Sequence, residues 1–236
     1  MSSGAGALLV IPARLHSTRL PRKALLSETG KPLIQHVWEA AAQVRRADAA
    51  IVATDHEEIF AVVQAFGGRV EMTDPGHRSG SDRVAEVAAR HEFEIVINLQ
   101  GDEPELDPAD VERLIEVLQT EPEVELATLV VQHIGEAEQA DPSVVKAVIQ
   151  DGWAVDFLRE PTPGAAGHVG VYGFRAPFLQ SFTALAPTAR ELERRLEQMR
   201  ALDHGYRIRA VPAGRRVRGI DTPEDYAAFV RRVRGS

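Results

Sequence analysis

The chain has 236 residues, 44% of them hydrophobic, and a formal net charge of -8. That length and apolar content suffice for one large α/β core, while the negative balance argues against nucleic acid or an anionic membrane as the main partner, both of which need a broad basic surface. The absence of cysteine excludes disulfides, thiolate catalysis and thiolate metal sites; with no apolar run near the roughly 20 residues of a membrane span and no signal-peptide core, a soluble, cytoplasmic protein with a small ligand is expected.

Residues Met1 to Gly6 are small and polar and are expected to be disordered. Ala7 to Ile11 has the length and β-branching of a buried strand, which the pattern ends at Pro12, since proline cannot donate to a sheet ladder. The following loop reverses the sign of the chain. It carries Arg14, Arg19, Arg22, Lys23 and Lys31, with Glu28 as its one acid. A basic loop leaving the first strand of an open α/β sheet lies where such sheets bind ligands, and arginine forks and a lysine point charge both suit phosphate. On charge alone a solvated loop with arginine stems lying on apolar surface fits equally well.

Helical spacing follows from about Pro32 to Val44, then a strand over Ala49 to Ala53. Thr54-Asp55-His56-Glu57 reads as a capping box for a helix over His56 to Phe66, stopped by Gly67-Gly68 before a short strand, Arg69 to Met72. His77 to Arg83 is a Ser/Gly turn opening a helix, and its free N–H groups suit a phosphate or a base carbonyl, although serine caps are also common without a ligand.

Glu94 to Leu99 reads as a central strand ending in Gln100-Gly101-Asp102-Glu103-Pro104. The alternation of strands and helices predicts a doubly wound, mostly parallel α/β sheet. Asp107 and Pro108 fill the cap and first position of the next helix, so Asp102, beside the permissive Gly101, is left without a capping role.

Leu126 to Val131 is a further strand, and the segment before Asp151-Gly152 pairs with Trp153 to Leu158 as a hairpin. A Pro/Gly loop spans Pro161 to Gly167, and His168 to Arg175 alternates like a strand. A charged helix is expected over Glu191 to Leu202 and an edge strand over Tyr206 to Val211. Thr222, Pro223 and Asp225 cap a last helix reaching Arg234, which leaves Asp221 unexplained by helix chemistry.

P-loop, G-x-G-x-x-G and H-E-x-x-H patterns are absent. Two aspartates without a structural role, together with a basic loop, suit Mg²⁺, which takes few protein carboxylates and fills its remaining positions with water and phosphate oxygens. A metal-bound nucleoside triphosphate is the expected ligand.

Several stretches also resemble one family. Ile11-Pro12-Ala13-Arg14, Ser17-Thr18-Arg19-Leu20-Pro21, Gly30-Lys31-Pro32-Leu33, Ser79 to Arg83, Gln100 to Pro104, Asp141 to Val148, His168 to Arg175, Leu196-Glu197-Gln198-Met199-Arg200 and Gly219 to Asp225 are similar to the 3-deoxy-manno-octulosonate (Kdo) cytidylyltransferases. The resemblance implies a Rossmann-like nucleotidyltransferase fold with a small β-rich acceptor and dimerisation part. It also implies transfer of CMP from CTP to an acidic acceptor, Mg²⁺ as cofactor, and a homodimer.

By the same resemblance Arg14, Arg19, Lys23, Asp102 and Asp221 are the catalytic set, the two aspartates holding the metal. Pro12, Ala13, Gly80, Ser81 and Gln100 join Arg14 and Lys23 around CTP. His168, Tyr172, Glu197 and Gln198 face the acceptor. One domain is expected, with a nucleotide half over about 7–125, an acceptor side over about 126–213, and the metal aspartate and last helix over 214–236.

The chain departs from the family pattern at Arg22, where a glycine is usual, and on the acceptor side. There Leu158 replaces a serine, the connection from Glu160 to Gly167 is short, Gly167 stands in place of a basic residue, and Arg194 replaces an acid. A site short of sugar contacts discriminates poorly for an eight-carbon acid, so a smaller acceptor such as phosphonoformate is the alternative, and a non-catalytic nucleotide-binding protein a third reading.

Overall fold

The computed structural model describes residues 6–17, 19–214 and 219–235. The expected disorder of the first five residues concerns a segment outside this range, but Gly6 is tied down, its carbonyl accepting from the amides of Glu94 and Ile95.

The first strand, β1 (Ala7–Ala13), is completely buried from Ala7 to Ile11. It alternates between the two faces of the sheet: Leu9 and Ile11 join one core cluster, Leu8 and Val10 the other. Burying each of these four side chains contributes about 1.5–3 kcal/mol of transfer free energy. The strand does not stop at Pro12 as the sequence suggests. Leu99 N–H bonds to the carbonyl of Val10, so the missing donor of Pro12, two residues on, falls on the same side, beyond the last paired residue of the neighbour. Proline costs the ladder nothing there.

Six further elements follow in alternation: α1 (Leu33–Ala41), β2 (Ala49–Thr54), α2 (Glu57–Ala65), β3 (Val70–Met72), α3 (Gly80–Ala88) and β4 (Ile95–Asn98). Helix α2 is capped by the ring of His56, which accepts from Glu58 N–H, and not by Thr54 as expected; Thr54 continues β2, and Asp55 pairs with the buried Arg83 at 2.7 Å. In α4 (Pro108–Thr120) Asp107 caps and Pro108 opens the helix as predicted.

The second half comprises β5 (Leu126–Val131), α5 (Glu136–Ala140), β6 (Lys146–Gln150), β7 (Trp153–Leu158), β8 (Ala166–Arg175), α6 (Ala176–Ala184), α7 (Ala189–Arg194), α8 (Met199–Asp203), β9 (Ile208–Pro212) and α9 (Pro223–Arg234). The β6–β7 hairpin turns at Asp151 and Gly152, whose φ values of 50° and 79° are those of a tight hairpin turn. The expected helix from 191 to 202 is broken in two. Arg195 adopts a left-handed φ of 54°, and residues 196–198 leave the helix axis between α7 and α8.

The strands form one nine-stranded sheet in the order β3-β2-β1-β4-β8-β5-β9-β7-β6. The part of the sheet from β3 to β4 is wholly parallel, and in the rest β7 and β8 run against the other strands. Strand β6 also pairs with β8, which closes β8, β5, β9, β7 and β6 into a small ring. Hence β9 is not the predicted edge strand but lies between β5 and β7. Residues of α1, α2 and α4 fill the core on one face and those of α3, α6 and α8 the other, giving the doubly wound arrangement. Among the described residues no helix is long and apolar enough to cross a membrane.

Candidate active site

The site forms where β1 and β4 end side by side. Gly101 is required there, because a Cβ at that position would lie 2.7 Å from the carbonyl oxygen of Pro12. The chain after β1 then reaches Arg22, which takes the left-handed conformation (φ 57°) for which a glycine is better suited, and opens a single 3₁₀ turn, Lys23–Leu25. An ion pair between Arg22 and Glu58 holds this corner.

The turn aims Lys23 at both aspartates. Its ammonium donates to Asp102 at 2.7 Å and to Asp221 at 3.1 Å, and Arg19 reaches the other oxygen of Asp221 at 3.0 Å. Two carboxylates from distant parts of the chain thus meet on one cation. Their loops are joined directly, Ile220 N–H donating to the carbonyl of Asp102 at 2.9 Å, and the Asp225 carboxylate accepts from the amides of Asp221 and Thr222. Beneath them Leu20, Leu33, Ile220, Tyr226 and Phe229 pack the basic loop against α9. Tyr226 donates to Glu28, which lowers the pKa of that carboxyl, while burial and the same bond push the phenol up to about 12.

Two cavities share this corner. A cavity of about 360 Å³ is lined by Pro12, Ala13, Arg14, Arg19, Lys23, Gly80, Gln100 and Asp102. It gathers the residues expected around a nucleotide, with the exception of Ser81, which is buried and donates to Glu197 at 2.6 Å. A second cavity of about 440 Å³ is lined by His168, Tyr172, Glu197 and Gln198, the four expected acceptor residues, and shares Arg19, Gln100 and Asp102 with the first; Asp221 lines it too.

The geometry of the second cavity depends on a bulge. β8 is in register with β5 up to Val169 and again from Tyr172, so Gly170 and Val171 are extra. Residues four apart in a regular strand are separated by about 13 Å, yet the rings of His168 and Tyr172 lie 5.5 Å apart. The Thr128 hydroxyl donates to the carbonyl of Val171, so it accepts from Nε2–H of His168 at 2.9 Å, which leaves Nδ1 an acceptor. Burial holds the pKa of this imidazole down to about 3, keeping it neutral. Burial, then the nearby Glu197 and Glu103, raise that of Tyr172 well above its ordinary value.

Sequence reasoning missed Glu103 and Arg159 as lining residues. Glu103 lay within a stretch already singled out, Gln100 to Pro104. Arg159 gives all three of its nitrogens to backbone carbonyls, of Arg194, Pro142 and Arg195. The break at Arg195 exposes two of those carbonyls, of Arg194 and Arg195, and no local pattern announces it.

The cytidylyltransferase family model matches residues 8–208 of the chain. The chain belongs to the cytidylyltransferase family. It is 41% identical to the 3-deoxy-manno-octulosonate cytidylyltransferase of Geobacter sulfurreducens, over 95% of this chain and 98% of that one. A solved structure of CMP:2-keto-3-deoxy-manno-octonic acid synthetase complexed with CTP superposes with a TM-score of 0.93 at 40% identity, covering 98% of this chain and 99% of the other. A cytidylyltransferase from Leptospira borgpetersenii, 16% identical with a TM-score of 0.69, shows the same fold. As a cytidylyltransferase the protein is a CTP-dependent enzyme, consistent with a nucleotide-sized cavity at the basic loop.

Whether a divalent ion suits the corner turns on its donors. Among the described residues no group of three or more His, Asp or Glu side chains is placed to hold a metal ion. Two carboxylates already sharing one cation do fit Mg²⁺, which draws its other ligands from water and phosphate.

Proposed function

We propose that this cytidylyltransferase transfers CMP from CTP to 3-deoxy-manno-octulosonate, releasing pyrophosphate. The observation that carries the reading is the Lys23-bridged pair of Asp102 and Asp221 at the edge shared by a basic cavity and a polar one. Relatives spanning nearly the whole chain bear the name of that reaction.

In this reading the triphosphate lies along Arg14, Arg19 and Lys23, whose charges balance it. An acceptor hydroxyl in the second cavity approaches the α-phosphorus from the opposite side. The new oxygen–phosphorus bond forms as the α-phosphorus parts from the oxygen bridging to the β-phosphorus, which leaves with pyrophosphate, and the hydroxyl proton passes to water. Phosphoryl transfer needs alignment and charge neutralisation more than covalent help, and the shared wall supplies alignment. Asp102 and Asp221 would hold Mg²⁺, which would supply positive charge at the α-phosphate. His168, held neutral, orients the acceptor by hydrogen bonds together with Tyr172, Glu197 and Gln198. A homodimer and a cytoplasmic location belong to the same reading, to be checked by sedimentation and by cell fractionation.

The test is pyrophosphate release with CTP and Mg²⁺ against Kdo, a sialic acid and phosphonoformate, for the wild type and for Asp102→Asn and Asp221→Asn. Kdo is expected to support release, and each substitution to lower turnover by about two to three orders of magnitude, the scale of losing one main electrostatic stabiliser. Release with phosphonoformate alone would replace Kdo as the acceptor, and near-normal turnover in both variants would remove the metal assignment.

A further inference from the structure

Between the two cavities runs a chain of hydrogen bonds that the proposed reaction does not use. Gln100 Nε2 donates to Asn98 Oδ1 at 3.3 Å, Asn98 Nδ2 donates to Ser81 Oγ at 3.4 Å, and the Ser81 hydroxyl donates to Glu197 Oε2 at 2.6 Å. Asn98 and Ser81 are 1% and 2% exposed, so water does not compete for these groups. All three donors point the same way, toward the carboxylate.

That direction follows from the end group. An ionised carboxylate only accepts, so the single proton of Ser81 is committed to Glu197. The Ser81 oxygen must then accept, and Asn98 turns its NH₂ toward it and its carbonyl toward Gln100. Gln100 in turn spends an N–H on Asn98 and keeps Oε1 for the cavities, both of which it lines. Bonds in such a row polarise one another in a low-dielectric interior, most strongly when a full charge terminates it.

We propose that Asn98 is a positioning residue: it transmits the charge of Glu197, on the acceptor side, to the orientation of the Gln100 amide at the wall shared with the nucleotide cavity. Gln100 therefore presents an acceptor to a ligand N–H or O–H, and the two half-sites are registered against each other through the protein. Charged and titratable groups face Glu197 from several elements. Arg200 stands 3.8 Å from Oε1 and shares its charge with Glu191. Tyr172 from β8 and Glu103 from the β4 loop line the same cavity, while Arg78 and Arg195 line a third cavity of about 420 Å³ on the other flank with Asp82, whose carboxylate accepts from the Ser79 amide in the capping box of its own helix.

The inference rests on the proposed cytidylyl transfer, so one readout must be independent of turnover. In side-chain amide NMR spectra of the intact enzyme, Ser81→Ala and Glu197→Gln are expected to shift the Gln100 NH₂ pair, and Ser81→Thr, which keeps the hydroxyl, to leave it in place. In Kdo-dependent pyrophosphate release, Asn98→Asp places two carboxylates on the one Ser81 proton. The KM for Kdo is expected to rise at least tenfold at neutral pH and to recover as pH falls and one carboxylate is protonated. A packing role alone would lower stability without tilting the pH profile. Unmoved Gln100 resonances in Ser81→Ala, or a wild-type pH profile in Asn98→Asp, would overturn the inference; absence of turnover in the wild type would instead remove the proposed reaction and leave the NMR test standing. Should Asn98→Asp not fold, Ser81→Ala decides kinetically, with a raised KM for Kdo that Ser81→Thr restores.

Discussion

The amide of Ile220 donates to the carbonyl oxygen of Asp102 at 2.9 Å, joining the loop after β4 to the loop before α9. Through this bond the backbone brings the two aspartates together, and Lys23 then bridges carboxylates that are already neighbours. The acidic pair therefore does not rest on the lysine for its geometry, only for its charge balance.

From this follows a prediction about cation binding. In Lys23→Met the two carboxylates keep their places but lose their ammonium. Mg²⁺ without nucleotide is expected to change the melting temperature of the wild type little, and to raise that of Lys23→Met by about 5–10 °C at a hundredfold excess over its Kd, since such an excess stabilises by about 2.7 kcal/mol. Differential scanning fluorimetry with and without Mg²⁺ checks it, and equal small shifts in both proteins would count against a divalent site.

His168 makes stability depend on pH. Its folded pKa, about 3, lies below the ordinary 6.5, so below pH 6.5 the unfolded chain binds a proton that the folded one refuses. Stability is full above pH 6.5 and is lost as the pH falls toward 3. Between pH 7 and pH 5 this one group should cost about 2 kcal/mol, at 1.36 kcal/mol per pH unit below 6.5. Urea unfolding at the two pH values should show a smaller difference for His168→Gln than for the wild type.

Gly101→Ala tests the closeness of β1 and β4. Its Cβ would fall 2.7 Å from the Pro12 carbonyl oxygen, so one of the two strand ends must move. Because both carry site residues, a displacement approaching 1 Å is expected to lower turnover by about 10²-fold. Steady-state kinetics of the purified variant, alongside its melting curve, show whether the loss is one of alignment or of folding.

At Arg22 the backbone already has the shape that suits glycine. Arg22→Gly relieves strain but loosens the unfolded chain and removes the ion pair with Glu58, so its urea midpoint is expected to match the wild type. Arg22→Val loses the same pair and adds a β-branched side chain at positive φ, and its midpoint should fall.

Much of this architecture was legible in the sequence because it is written in local rules. Caps at Asp107 and Thr222 accounted for their neighbours and left Asp102 and Asp221 over, and these two do meet. What escaped depends on partners far along the chain. Pro12 can sit in a strand because a neighbour ends two residues earlier, and the last strand looks like an edge until β7 is seen to cover it. The meeting of His168 and Tyr172 needs a bulge defined only against β5, and Arg195 interrupts a helix that every local preference would continue. Asn98 reads as one polar residue at the end of an apolar strand until Ser81 and Gln100 are placed beside it.

The ring of strands that closes on β8 has a consequence for biosynthesis. β8 pairs with β4 on the side away from β1, and it lies about seventy residues downstream. As the polypeptide leaves the ribosome, the parallel half is finished well before that partner emerges, and it waits with an open flank along Ile95–Asn98. Such a nascent chain invites chaperone capture or strand-to-strand association until Ala166–Arg175 arrives, so translation speed across residues 99–165 should govern the yield of native enzyme.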